Sequence, residues 1–286
     1  MGVFRFLVAS NSKGGEKENM EIVEQVLEVL KNCDRLPSNP DDGFLRKTIE
    51  KLVTQEGVVR FFVFVCQKSK YTALSGPRPE EYMPVTAERD DLLQPRVPKI
   101  LELQEKLRQL GVPMELCFLI GDADFEIFKL PYLEGITIDR EVFARRRVRY
   151  ADSFEARVKK DFGRRCTVFS LSALGVGPDK RQPSLPSEDL ASELEFIRSR
   201  YREGRYGDPL NFPEKVICEM TDLKLRCYGN QGHLLKDLGP GVLLQTEGGP
   251  GRWLLRTTML RCTGSRAVPA IYPWIRSEEL EEMELN

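Results

Sequence analysis

Apolar positions along the chain follow two rhythms that take turns. Short, densely apolar runs at Phe4 to Ala9, Val58 to Cys66, Glu115 to Ile120 and Cys166 to Leu171 predict strands. Between them the apolar residues return every three or four positions, as in Ile22, Val26, Val29 and Leu30 within Glu18 to Lys31. That spacing predicts a helix with one buried face. Further helices are expected over Phe44 to Val53, Ile100 to Leu110 (stopped by Gly111), Arg140 to Phe162 and Glu188 to Arg202. The run Val58 to Cys66 is apolar on both alternating faces, as a central strand covered on both sides requires.

Strands alternating with helices are the pattern of a parallel α/β sheet. The fold expected is a Rossmann-like α/β core, a mostly parallel sheet flanked by helices, over residues 1–175. A C-terminal α+β extension over 176–286 would pack on it, beginning with the Gly/Pro linker Gly175 to Ser187. There, Val242 to Thr246 and Trp253 to Thr258 flank a glycine-rich turn and predict a hairpin or a pair of adjacent strands. The Pro-rich segment Gln67 to Pro98 has the length of a lid or binding loop.

Composition narrows the class. With 41% hydrophobic and 30% charged residues the chain is an ordinary globular one, and its net charge of -1 supplies no global attraction to nucleic acid or membrane. No apolar run is long enough to span a bilayer, and the N-terminal run lacks the basic flank and cleavage site of a signal peptide. Seven scattered cysteines without a Cys-x-x-Cys pair, and the single histidine His233, argue against structural zinc and against a disulfide framework. A cytoplasmic protein without metal or cofactor is expected.

In open α/β sheets ligands bind beyond the carboxyl ends of the strands, so chemistry is sought there. The first run ends in Ser10-Asn11-Ser12-Lys13-Gly14-Gly15, where backbone amides would approach a phosphate or acyl group. The third run ends at Gly121 and is followed by Asp122, Asp124 and Glu126, which would hold a ribose, an amine or a cation. His233, in the turn Tyr228 to His233, is a candidate general base, and Glu247 a candidate substrate contact. The string Tyr272-Pro273-Trp274 reads as an aromatic clamp docking the C-terminus on the core.

The largest charge asymmetry lies in Asp139 to Arg165, with ten basic against five acidic side chains. Arg145, Arg146, Arg147, Arg149, Lys159 and Lys160 are the candidates for a nucleic-acid face, since arginine forks suit phosphate oxygens.

A Rossmann-like core, a serine-bearing loop after the first strand and an arginine-rich helix together resemble the cyclodipeptide synthases over about residues 3–200. The resemblance implies an aminoacyl-tRNA-using transferase. It would place Ser10 or Ser12 as the covalent acyl acceptor and Arg145, Arg146 and Arg149 on the tRNA. Asp122 or Asp124 would then hold the substrate amine. An ester-linked donor would need neither ATP nor a metal. The family's Tyr-x-x-x-Glu pair has no counterpart here, Tyr201 and Glu203 being only two positions apart. Two other readings suit the same core. One is a small-molecule enzyme binding a nucleotide or nucleotide-sugar, with phosphate at Lys13-Gly14-Gly15 and ribose at Asp122. The other is a non-catalytic RNA-binding protein.

Overall fold

A computed structural model of the chain describes residues 14–34, 42–66, 96–121, 140–170, 195, 198, 214, 215, 218, 233–244 and 268–274. Five strands, β1 (Val59–Cys66), β2 (Met114–Gly121), β3 (Cys166–Ser170), β4 (Val242–Leu244) and β5 (Ala270–Ile271), form one sheet in the order β3-β2-β1-β4-β5. Every pairing is parallel. The centre is β1, where Phe61, Phe62 and Val63 are fully buried, as the two-faced apolar run requires. Register lines up Phe62 with Cys117 on one side and Leu243 on the other.

Alternation along β1 sends Phe61, Val63 and Val65 to one face and Phe62 and Phe64 to the other. The first face is covered by four helices: α1 (Gly14–Cys33), α2 (Asp42–Lys51), α3 (Val97–Gln109) and α4 (Arg140–Phe162). Each lays down a helical seam. Val23, Val26, Leu27 and Leu30 do so for α1, Ile100, Leu103 and Leu107 for α3, and Tyr150, Phe154, Val158 and Phe162 for α4. Phe118 of β2 meets Phe154 edge-on at 5.5 Å and stacks on Phe162 at 5.9 Å. Burying each such ring contributes about 1.5–3 kcal/mol. The second face carries Leu234, Leu235 and Leu238, contributed by the helical residues 233–237 and the turn after them.

Handedness explains this division. Right-handed crossovers from β1 to β2 and from β2 to β3 leave α3 and α4 on the same face. The chain then returns to the other side of β1 to lay down β4, and residues 233–237, which precede β4, arrive on the opposite face. The core is therefore a Rossmann-like α/β sheet whose strand order reverses at β1 and β4.

Some boundaries differ from the sequence pattern. Helix α1 begins four residues before Glu18, because Gly14 to Lys17 add a turn without adding an apolar position. Helix α2 passes into a π-helical turn, Leu52–Glu56, which ends at Gly57 with φ +65. Of the expected hairpin or pair of adjacent strands, Val242–Leu244 is β4, whereas Gln245, Thr246 and Trp253 to Thr258 lie outside the described residues. Both edges of Leu243 and Leu244 are taken by the parallel neighbours β1 and β5. These C-terminal residues thus complete the main sheet. The expected strand Phe4 to Ala9 and nearly all of Gln67 to Pro98 lie outside the described residues. Among the described residues no helix is long and apolar enough to cross a membrane.

Candidate functional site

A parallel sheet whose order reverses leaves a crevice between the two strands that diverge, because their following connections leave toward opposite faces. Here the two strands at the reversal end at Cys66 of β1 and Leu244 of β4, and the candidate site is taken beyond those ends. On its β5 side three remote segments converge. Asp34, one residue past α1, accepts a hydrogen bond through Oδ1 from the backbone N–H of Tyr272 at 3.2 Å. Lys99, in the first turn of α3, donates from Nζ to the Pro273 carbonyl at 2.9 Å. Arg96, the residue capping α3, lies over the Trp274 ring at 5.9 Å.

Tyr272 is buried and Trp274 packs partly buried against the first-face core. The Tyr-Pro-Trp string is therefore a clamp fastening the chain after β5 to α1 and α3. The N-terminus of α3 consequently sits at the carboxyl edge of the sheet, and among the described residues no side chain caps its free amides. Arg96 and Lys99 add positive charge to the positive end of that helix, so this rim suits an anionic group. The indole Nε1 of Trp274 is buried and has no hydrogen-bond partner among the described residues.

The opposite, amino edge is locked. Arg60, second in β1, pairs with Glu56 and Glu115 at 2.9 Å each and donates to the Pro240 carbonyl at 3.1 Å. Burial opposes its charge, but the two carboxylates outweigh it and hold the guanidinium pKa above its ordinary value. One side chain thus ties the π-turn, β1, β2 and the approach to β4.

The sequence candidates distribute unevenly over this frame. Gly14 and Gly15 are the first two residues of α1. The far end of that helix touches Tyr272, and at 1.5 Å per residue the glycines lie roughly 28 Å from it along the axis. Ser10, Asn11, Ser12, Lys13, Asp122, Asp124, Glu126 and Glu247 lie outside the described residues. Three of these follow β2 directly in the chain, beyond its carboxyl end at Gly121. His233 opens the helical residues 233–237 on the second face and is half-buried. Sequence reasoning missed Asp34, Arg96 and Lys99. Only Pro98, a favoured residue in a first helical turn, hinted that a helix begins there.

Helix α4 turns Tyr150, Phe154, Val158 and Phe162 inward and leaves Arg145, Arg149, Lys159 and Lys160 exposed. Arg146 and Arg147 belong to the same helix, but their side chains lie outside the description. Lys159 pairs with Glu155, and Arg157 approaches Asp161 at 3.7 Å.

The Cys117 and Cys166 thiols are poor nucleophiles. Burial pushes the Cys117 thiol up to about 12, with the Glu115 charge adding to it, and Cys166 up to about 11. Both behave as small core side chains. Among the described residues no three His, Cys, Asp or Glu side chains gather as metal ligands would. No protein-family model matches the chain, and no curated protein matches it significantly.

Proposed function

We propose that this protein is an enzyme that binds a phosphate-bearing small molecule of the nucleotide class in the crevice beyond β1 and β4. The reversal of strand order at β1 carries the reading, because that reversal is where open α/β sheets take their ligands. The rim supports it. The uncapped N-terminus of α3, with Lys99 and Arg96, is the side on which phosphate oxygens would be welcome. Ribose hydroxyls would be met by carboxylates following β2, of which Asp122 is the first.

Hydrogen exchange with and without a panel of mononucleotides, dinucleotides and nucleotide-sugars tests this reading. Binding should slow exchange at residues 97–99, 244 and 272–274 and leave the amino edge around Arg60 unchanged. Protection confined to the amino edge, or no binding by any of the panel, would sink the reading.

A second reading is favoured by the exposed cations of α4, whose N-terminal end begins on the carboxyl side of the sheet. In it the ligand is an acyl group carried by tRNA. The enzyme is then a transferase, with Ser10 or Ser12 accepting the acyl group and Asp122 or Asp124 holding the amine. Charged tRNA incubated with the Ser10→Ala/Ser12→Ala variant should give no product. Undiminished turnover would remove the covalent step.

A further inference from the structure

The chain that follows β5 is held more by its side contacts than by the sheet. Strand β5 has two residues, and its ladder to β4 consists of the pairs Leu243–Ala270 and Leu244–Ile271. Tyr272 is then buried and pinned by Asp34, and the ring of Pro273 fixes its φ. Freedom therefore begins after Pro273, at Trp274. Two contacts with the start of α3 hold that residue down: Lys99 Nζ on the Pro273 carbonyl at 2.9 Å, and Arg96 over the Trp274 ring. Two features leave this closed position finely balanced. The indole Nε1 of Trp274 is buried with no hydrogen-bond partner, so docking the ring forfeits the bond that water would make to it. The second feature is charge. The first turn of α3 holds no acidic residue, and Glu102, the next acid along the helix, pairs with Lys106 at 2.6 Å. The Lys99 ammonium thus sits at the positive end of the helix with a neutral carbonyl as its hydrogen-bond partner, an unfavourable place for a cation.

We infer that Tyr272-Pro273-Trp274 is a strap with two states, closed and released at Trp274, and that ligand phosphate at the rim locks it shut. An ammonium has three donors, so Lys99 can keep the Pro273 carbonyl while it meets a phosphate oxygen. An anion there offsets the repulsion between Lys99 and the helix end, which strengthens the contact that holds the strap. The sign of the coupling follows. A bound anion favours the closed strap, and its departure returns the balance toward release. The inference rests on the nucleotide-class reading above for its ligand, and adds to that site a part that moves with occupancy.

The test is acrylamide quenching of fluorescence in the full chain carrying Trp253→Phe, which leaves Trp274 as its single tryptophan. Inorganic pyrophosphate is titrated to millimolar concentration, with the ionic strength held constant by sodium chloride. The quenching constant should fall several-fold at saturation, and the emission maximum should move to shorter wavelength. Lys99→Met keeps the apolar stem but removes the ammonium, so quenching should rise and pyrophosphate should no longer lower it. In the unmutated chain, slower hydrogen exchange of the Trp274 amide with pyrophosphate gives the same answer should either variant misfold. Quenching and exchange that pyrophosphate leaves unchanged, or raises, would overturn the strap. Nucleotide protection at residues 97–99 without any change at Trp274 would also overturn it, while leaving the nucleotide reading in place. Tightening by pyrophosphate with no binding by any nucleotide of the panel would support the strap and remove the nucleotide class of ligand.

Discussion

The backbone N–H of Tyr272 donates to Oδ1 of Asp34 at 3.2 Å, joining residues 238 positions apart in the chain. With it the last described strand is tied to the end of the first helix, beside the crevice. Asp34 acts as a fixed acceptor for the amide of a buried residue. Removing that acceptor leaves the amide unsatisfied at a cost of about 1–3 kcal/mol. Asp34→Ala should lower unfolding stability in that range by urea titration, while Asp34→Asn, which keeps an acceptor oxygen, should recover most of the loss. Equal losses in both variants would mean that the carboxylate serves through its charge instead.

Gly241 lies against the Phe62 ring so closely that a Cβ there would overlap the ring carbons. The approach lets the chain enter β4 directly beside the central strand. Gly241→Ala should therefore cost about 1–3 kcal/mol, as overpacked sites do. Phe62→Leu made in the same chain should return part of it, so that the double variant loses less than the two single losses added. Strict additivity would show that the backbone of Gly241, not the space beside it, is what matters.

Much of this architecture could be read from the sequence, and the residues show why. The apolar run of β1, the seam of α4 and the stop of α3 at Gly111, with φ +74, are local signals, legible without a partner. The pairing of β4 was not. Its glycine-rich sequel looked like a hairpin turn, but the partners of Leu243 are Phe62 and Ala270, one of them far earlier in the chain. The site suffered more from the same limit. Asp34, Lys99 and Trp274 come from three separate segments, and nothing in their local sequence says that they meet. Of the phosphate-like pattern Ser10 to Gly15, only Gly14 and Gly15, the first two residues of α1, fall within the described residues.

Glu105 on α3 accepts from Arg108 and Gln109, and those bonds hold its carboxyl down to about 2. A depressed folded pKa means the interaction is intact above the ordinary value of 4.5 and is lost as pH falls toward 2. Glu105 is exposed, so the effect should be visible in titration and nearly silent in stability. Carboxyl carbon chemical shifts followed against pH should show a low inflection for Glu105. In Arg108→Ala it should rise toward 4.5. An inflection that stays low in that variant would leave Gln109 as the dominant donor.

Cys117 provides the opposite case, a buried acid whose ionisation is suppressed. Its thiol lies in β2, 5% exposed, under Phe62 and Leu119. Burial raises its pKa from 9.0 to about 12, and the nearby Glu115 charge adds to the shift. The folded state thus keeps the proton that the unfolded chain would release above pH 9. This contribution to stability is whole below pH 9 and declines as pH rises toward 12, so alkaline unfolding should be steeper than in Cys117→Ala. The same suppression makes the thiolate scarce, and the strand gives an alkylating agent no approach. At pH 8 iodoacetamide should leave Cys117 and Cys166 unmodified in the folded protein and label both in urea, as peptide mass mapping would show. Rapid labelling of Cys117 without denaturant would mean that β2 opens locally from the centre of the sheet, and the packing ascribed to Phe62 and Leu119 would have to be abandoned.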